Sequence, residues 1–182
     1  MNLPNKISIV RILLAPAIVA SLVYYHPSRD WLRFLALGFF LLGAISDAVD
    51  GFLARLQRQQ TELGTVLDPI ADKTLILSTL ISCAVIRGLP ESMRVPAWFN
   101  LIVISRDALL VAGTVVLFVI TGRWSVHPSM AGKATTCAQM LVIAAVLLGS
   151  PPPVTTPLLI VGTVLTAVSA VTYVRMGIRA LG

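Results

Sequence analysis

The chain has 182 residues, 57% hydrophobic and only 12% charged, a mean hydropathy of +0.89 and a formal net charge of +6. A soluble domain carries roughly 25% charged residues and could not hide this much apolar surface, and a disordered chain is charged and poor in apolar residues. The basic excess forms no run interleaved with aromatics, so nucleic acid is not a predicted partner; on an integral membrane protein it reads as loop charge that fixes topology.

A span needs about 20 apolar residues, so this length holds about six. Ile12 to Ser28 is the first apolar stretch, preceded by Lys6 and Arg11. Trp31 to Leu56 is apolar, apart from Arg33, until Asp47, and Gly64 to Ile86 is apolar after Asp72 and Lys73. Val95 to Thr121 is interrupted only by Arg106 and Asp107. Ala134 to Val174 lacks Asp, Glu, Lys and Arg, and Pro151, Pro152 and Pro153 cut it in two, because proline cannot continue a helix. The prediction is an all-α integral membrane protein, a single domain over residues 1–182, with six transmembrane helices and short loops.

Six spans put both termini on one side. That side carries Lys6, Arg11, Arg55, Arg58, Arg123, Lys133, Arg175 and Arg179; the other carries Arg29, Arg33, Arg87 and Arg94. The bias predicts cytoplasmic termini. Cys83 and Cys137 lie far apart in apolar stretches, with no metal-ligand spacing, and read as small core residues. Trp31, Trp98 and Trp124 read as anchors at the membrane interface.

Five of the 8 acids fall between Asp47 and Asp72: Asp47, Asp50, Glu62, Asp68 and Asp72. Asp47 and Asp50 are spaced i, i+3 at the end of the second helix, with Ala54 at i+7 and Arg55 beside it. Asp68 and Asp72 are spaced i, i+4 at the start of the third. Each pair shares a helix face, and a short connection makes the two helices antiparallel neighbours, so four carboxylates can converge. An Asp at the centre of a span costs about 2.5–3.5 kcal/mol, and four close together repel one another. Divalent metal resolves both costs, and an all-oxygen donor set suits Mg²⁺, Mn²⁺ or Ca²⁺ rather than zinc. The plain alternative is a set of interfacial residues at helix ends. Gly51 and Gly64 allow either close helix packing or close approach of a ligand to the backbone.

As a pattern, Asp47 to Asp72 is D-x-x-D-G-x-x-A-R, eight residues, then G-x-x-x-D-x-x-x-D. It resembles the signature of the CDP-alcohol phosphotransferase family at every fixed position. Leu3-Pro4-Asn5, Arg11 and Pro16 resemble that family's N-terminal segment, and six spans is its number, so a secretory signal is the lesser reading of residues 1–28. The resemblance implies transfer of a phosphatidyl group from CDP-diacylglycerol to an alcohol, with release of CMP. It implies that Asp47, Asp50, Asp68 and Asp72 hold two divalent cations, Mg²⁺ or Mn²⁺, and that Asp72 is also the general base. It implies that Arg55 holds the donor phosphates and that Asn5, Gly51, Ala54, Thr61 and Gly64 help bind the CDP-lipid. It also implies a homodimer among membrane lipids. The short N-terminus, with no Arg/Ser-rich transit peptide, predicts a bacterial cytoplasmic membrane, and the charge bias with the helix geometry predicts an active site facing the cytoplasm.

Two branches share the rest of the layout, Ser105-Arg106-Asp107 and Gly132-Lys133-Ala134-Thr135-Thr136 followed by Gln139. Phosphatidylglycerophosphate synthases resemble it with extra cations, including a Lys where Thr135 stands. The cardiolipin synthase branch resembles Ser105-Arg106-Asp107 followed by Leu109-Leu110-Val111-Ala112-Gly113 more closely. The expected acceptor is therefore phosphatidylglycerol, with glycerol 3-phosphate as the alternative, and Arg106 and Lys133 as the acceptor's phosphate ligands; the plain alternatives are a buried ion pair of Arg106 with Asp107 or a motif Asp, and a positive-inside anchor at Lys133. Buried Asp pairs also mark ion-coupled transporters, but nothing polar continues the path across the bilayer. His26 has no assignable role, and His127 reads as a loop residue.

Overall fold

Helices follow from the apolar runs, because a chain in lipid must satisfy its own backbone hydrogen bonds. The computed structural model describes the backbone of residues 3–57, 62–121 and 130–181, and the side chains of residues 9–46, 70–116, 119–120 and 130–178. These residues form six α-helices: α1 Leu3–Val23, α2 Trp31–Gln57, α3 Glu62–Val85, α4 Ala97–Thr121, α5 Met130–Leu147 and α6 Pro152–Leu181. Three segments, Glu91–Val116, Met130–Leu147 and Pro152–Ile178, are long and apolar enough to cross a membrane; Ile9–Val23 and Trp31–Ser46 are shorter apolar helices.

The outward faces are those of a lipid-facing protein. Leu13, Leu42, Leu101, Val111, Val119, Leu141, Val164 and Ile178 are all exposed, an apolar surface that water would not tolerate. Hydroxyls inside the helices bond back to carbonyls one turn earlier: Ser21 to Ala17 at 2.8 Å, Thr79 to Leu75 at 2.8 Å, Thr166 to Gly162 at 2.7 Å. This internal satisfaction lets polar side chains sit in lipid-embedded helices.

The chain forms two compact units. The first comprises Met1–Val95 and Ile143–Ser150, the second Pro96–Val142 and Pro151–Gly182. In the first, α1 lies against both α2 and α3, and α2 also meets α3. Its core includes Ile18, Leu22, Ala36, Phe40, Leu75 and Leu80. In the second, α4 lies against α6, and α5 joins them where Thr135 Oγ1 donates to the Leu165 carbonyl at 3.0 Å.

The helix ends have local causes. Gly149 closes α5 in a left-handed conformation (φ 67°). Ser150 N–H then bonds the Ala145 carbonyl at 3.0 Å and Gly149 N–H the Val146 carbonyl at 2.9 Å, the paired bonds of a Schellman cap. The prolines thus do not end α5; Pro152 and Pro153 open α6, where a missing N–H costs nothing. Between α1 and α2, His26 caps a 3-10 turn over Pro27–Arg29, its Nδ1 accepting from Ser28 N–H at 3.3 Å. That gives His26 a structural role which the sequence left blank.

α1 starts earlier than the apolar stretch implied, and this relocates Arg11. It is an interior residue of α1 and is wholly buried, 0% exposed. Arg11 is therefore not one of the loop cations that set topology, so the cytoplasmic tally rests on the other seven residues named above.

Candidate functional site

The carboxylate pattern is carried by the end of α2 and the start of α3. Asp47 and Asp50 lie on α2; Gly64, Asp68 and Asp72 lie on α3. The two helices are brought close where Gly43 faces Leu75: a Cβ added to Gly43 would stand 2.7 Å from Leu75 Cδ1. From that contact Asp47 and Asp50 follow at i+4 and i+7 on α2, and Asp72 and Asp68 precede at i−3 and i−7 on α3. These are the spacings that return to one helix face, on two helices running in opposite senses. The first Asp of each pair lies about 5–6 Å along its helix from the contact, the second about 10 Å.

Asp72 is half-buried, beside wholly buried Ala71 and half-buried Lys73. The side chains of Asn5, Asp47, Asp50, Gly51, Ala54, Arg55, Gly64 and Asp68, and the whole of Thr61, lie outside the described residues, as does His127. No three metal-ligating side chains gather among the described residues, of which Asp72 is the one member of the pattern. The donor chemistry fits hard divalent cations: carboxylate oxygens in number, with no His or Cys in the pattern.

The residues expected to meet the acceptor lie in the second unit. Arg106, on α4, is 7% exposed. Its Nη1 pairs with Asp107 Oδ1 at 2.8 Å and its Nη2 donates to Ser169 Oγ on α6 at 2.6 Å, while Nε has no hydrogen-bond partner among the described residues. Arg106 is thus held by protein groups, with its Nε–H left over. Lys133 is exposed in the first turn of α5. Thr135, wholly buried, donates to Ala131 at 2.9 Å and Leu165 at 3.0 Å. It is a packing residue, not an open place on a binding surface.

Two residues have places in the structure that the sequence reading missed. Gln139, one turn beyond Thr135, is wholly buried, and neither end of its amide finds a hydrogen-bond partner among the described residues. Arg11 is the other. The signal available for it was its place seven residues before Ile18, at the spacing of one helix face.

The sequence of the whole site can be set against known proteins. A family described as CDP-alcohol phosphatidyltransferase matches residues 1–174. A Cereibacter sphaeroides protein named "CDP-diacylglycerol--glycerol-3-phosphate 3-phosphatidyltransferase" is 31% identical over 81% of this chain, which spans 64% of that relative's length. A Mycobacterium tuberculosis protein named "Probable phosphatidylglycerophosphate synthase" is 30% identical over 100% of this chain and 84% of its own. A Mycobacterium bovis protein named "Putative cardiolipin synthase" is 34% identical over 82% of this chain and 66% of its own. A match running through both units and carrying the paired-aspartate pattern leaves one conclusion: this chain belongs to the CDP-alcohol phosphatidyltransferase family.

Proposed function

We propose that the protein transfers the phosphatidyl group of CDP-diacylglycerol to a hydroxyl of glycerol 3-phosphate, releasing CMP. The observation that carries the choice of acceptor is the likeness, over 100% of this chain, to a relative named as a phosphatidylglycerophosphate synthase. The argument for phosphatidylglycerol leaned on a cation missing at Thr135. That position is buried against α6, so its side chain says little about the acceptor's charge. Phosphatidylglycerol, giving cardiolipin, stays as the second reading, favoured by the 34% identical relative named for that activity and by Asp107.

In this reading Asp47, Asp50, Asp68 and Asp72 hold two divalent cations, Mg²⁺ or Mn²⁺. When bound, the cations stabilise charge on the attacking and leaving oxygens of an in-line displacement. Asp72 accepts the proton of the acceptor hydroxyl. The acceptor oxygen bonds to the lipid phosphorus as the pyrophosphate bond to CMP breaks. Arg55 holds the donor's phosphates, for which a guanidinium fork is suited; Asn5, Gly51, Ala54, Thr61 and Gly64 line the CDP-lipid pocket. Arg106 and Lys133 bind the acceptor's phosphate. The family match across residues 1–174 supports one catalytic domain, which we read as a six-span homodimer in a bacterial cytoplasmic membrane with its site and termini cytoplasmic.

The test is product analysis on purified protein given CDP-diacylglycerol and Mg²⁺ or Mn²⁺, with glycerol 3-phosphate in one tube and phosphatidylglycerol in another. Phosphatidylglycerophosphate and CMP from the first tube alone support the proposal. Cardiolipin from the second alone reverses the order of the two readings. No metal-dependent CMP from either would return ion-coupled transport to consideration.

A further inference from the structure

Arg11 carries a permanent charge into the first unit, because a guanidinium keeps its proton in proteins. It is 0% exposed, and it opens a buried stripe on α1, continued at i+4, i+7 and i+11 by Ala15, Ile18 and Leu22. The neighbours of α1 in this unit are α2 and α3, so this stripe faces them. An isolated charge there would be costly, and a buried cation in a membrane protein is paired.

The fold narrows the choice of counter-charge. Arg11 stands twelve residues before Val23, and Gly43 twelve residues after Trp31, at the other side of the same turn. Each lies about 18 Å from that turn, so Arg11 is level with Gly43 and hence with Leu75. Helical side chains lean toward their own N-terminus, so on α1 the guanidinium reaches toward the turn that carries Asp72, three residues before Leu75. At the opposite end the acid of the α1–α2 turn, Asp30, is already paired with Arg33 at 2.8 Å and accepts from Tyr25 at 3.2 Å. The remaining acids of α1 to α3 all belong to the segment from Asp47 to Asp72.

We propose that Arg11 is a positioning residue of the carboxylate site, a built-in counter-charge that holds Asp72 and its neighbours together when divalent cations are absent. The inference rests on the metal reading given above. Its consequence has a definite sign. A fixed positive charge beside the site stabilises the cation-free protein and opposes cation binding, so its removal should do the reverse of both.

The experiment compares wild type, R11K and R11Q, stripped with EDTA, in thermal unfolding with and without added Mn²⁺. R11Q should lose melting temperature mainly in the cation-free state, and its Mn²⁺ midpoint for stabilisation should fall several-fold; R11K should restore both toward wild type. Equal losses with and without Mn²⁺ and an unmoved midpoint would make Arg11 a packing residue and overturn the proposal. If R11Q does not fold, R11Q/D72N decides: recovery of folded protein supports the pairing, and no recovery overturns it. A wild type indifferent to Mn²⁺ would sink the metal reading, while the coupling between R11Q and D72N in melting temperature would still judge Arg11.

Discussion

Gly43 and Leu75 form the contact from which the carboxylate site is built. The missing side chain at Gly43 admits the Leu75 isobutyl group, 2.7 Å from where a Cβ would stand, and the motif aspartates follow on successive turns of both helices. Gly43→Ala should cost about 1 kcal/mol, since a leucine methyl can shift, and Gly43→Leu about 1–3 kcal/mol through overpacking. Because Asp72 is one turn from the contact, Gly43→Leu should also reduce CMP release. Melting temperature and initial rate measured on the same preparations check this. A rate loss without any stability loss in Gly43→Leu would contradict the packing explanation.

Arg106 and Asp107 make the second prediction. The Asp107 carboxylate holds Nη1 at 2.8 Å, where, in the proposed function, it would compete with an anionic acceptor. Asp107→Asn should therefore lower the KM for glycerol 3-phosphate, whereas Arg106→Gln should raise it roughly tenfold or more, the worth of a charge-assisted hydrogen bond. Ser169→Ala leaves the 2.6 Å partner of Nη2 missing and should lower stability by about 1–3 kcal/mol. Steady-state kinetics against acceptor concentration would expose an error if Asp107→Asn raised KM.

Gly149 makes a prediction about stability alone. Its φ of 67° disfavours any other residue, and a Cβ there would collide with the Arg33 guanidinium, which reaches across to the Leu148 carbonyl at 3.4 Å. Gly149→Ala should cost about 1–2 kcal/mol for the left-handed backbone, plus the clash. Arg33→Ala in the same chain should recover the clash but not the backbone part. Thermal unfolding of the two single variants and the double would show this as coupling of favourable sign.

Tyr25 gives the pH dependence. It lies in the turn between α1 and α2, and its phenol is pushed above the usual 10.0 by partial burial first, then by its hydrogen bond to Asp30 and that carboxylate's charge. The folded state thus favours the neutral phenol. Its stabilising contribution is complete below about pH 10 and disappears as pH rises through the higher folded value. Tyr25→Phe should make melting temperature less sensitive to pH at the alkaline end. An unchanged alkaline slope would show that Tyr25 is not the group titrating there.

Much of this was legible in one dimension. The apolar runs located the helices, because lipid leaves the backbone no other option, although α1 begins at Leu3, well before the apolar stretch that opens at Ile12. The aspartate spacing put each pair on one helix face, because helical periodicity is a property of sequence, and α2 and α3 do lie against each other. The proline run Pro151 to Pro153 separated α5 from α6, although the cap at Gly149 rather than the prolines ends α5.

The sequence by itself determined that this is an all-helical, lipid-facing chain, since composition and spacing are local properties that survive without coordinates, and its motif carried the resemblance to the CDP-alcohol phosphatidyltransferase family that the family match bears out. Only the tertiary structure decided which polar residues are spoken for. Arg11 reads as a loop cation until α1 is seen to begin at Leu3 and to bury it. Thr135 reads as a lost binding cation until its hydroxyl is found on the Leu165 carbonyl, and Arg106 as either a phosphate ligand or an ion-pair partner until Asp107 and Ser169 are found on it. The bonds of Thr135 to Leu165 and of Arg106 to Ser169 depend on which faces the helices turn to one another, and that arises from packing between residues tens of positions apart.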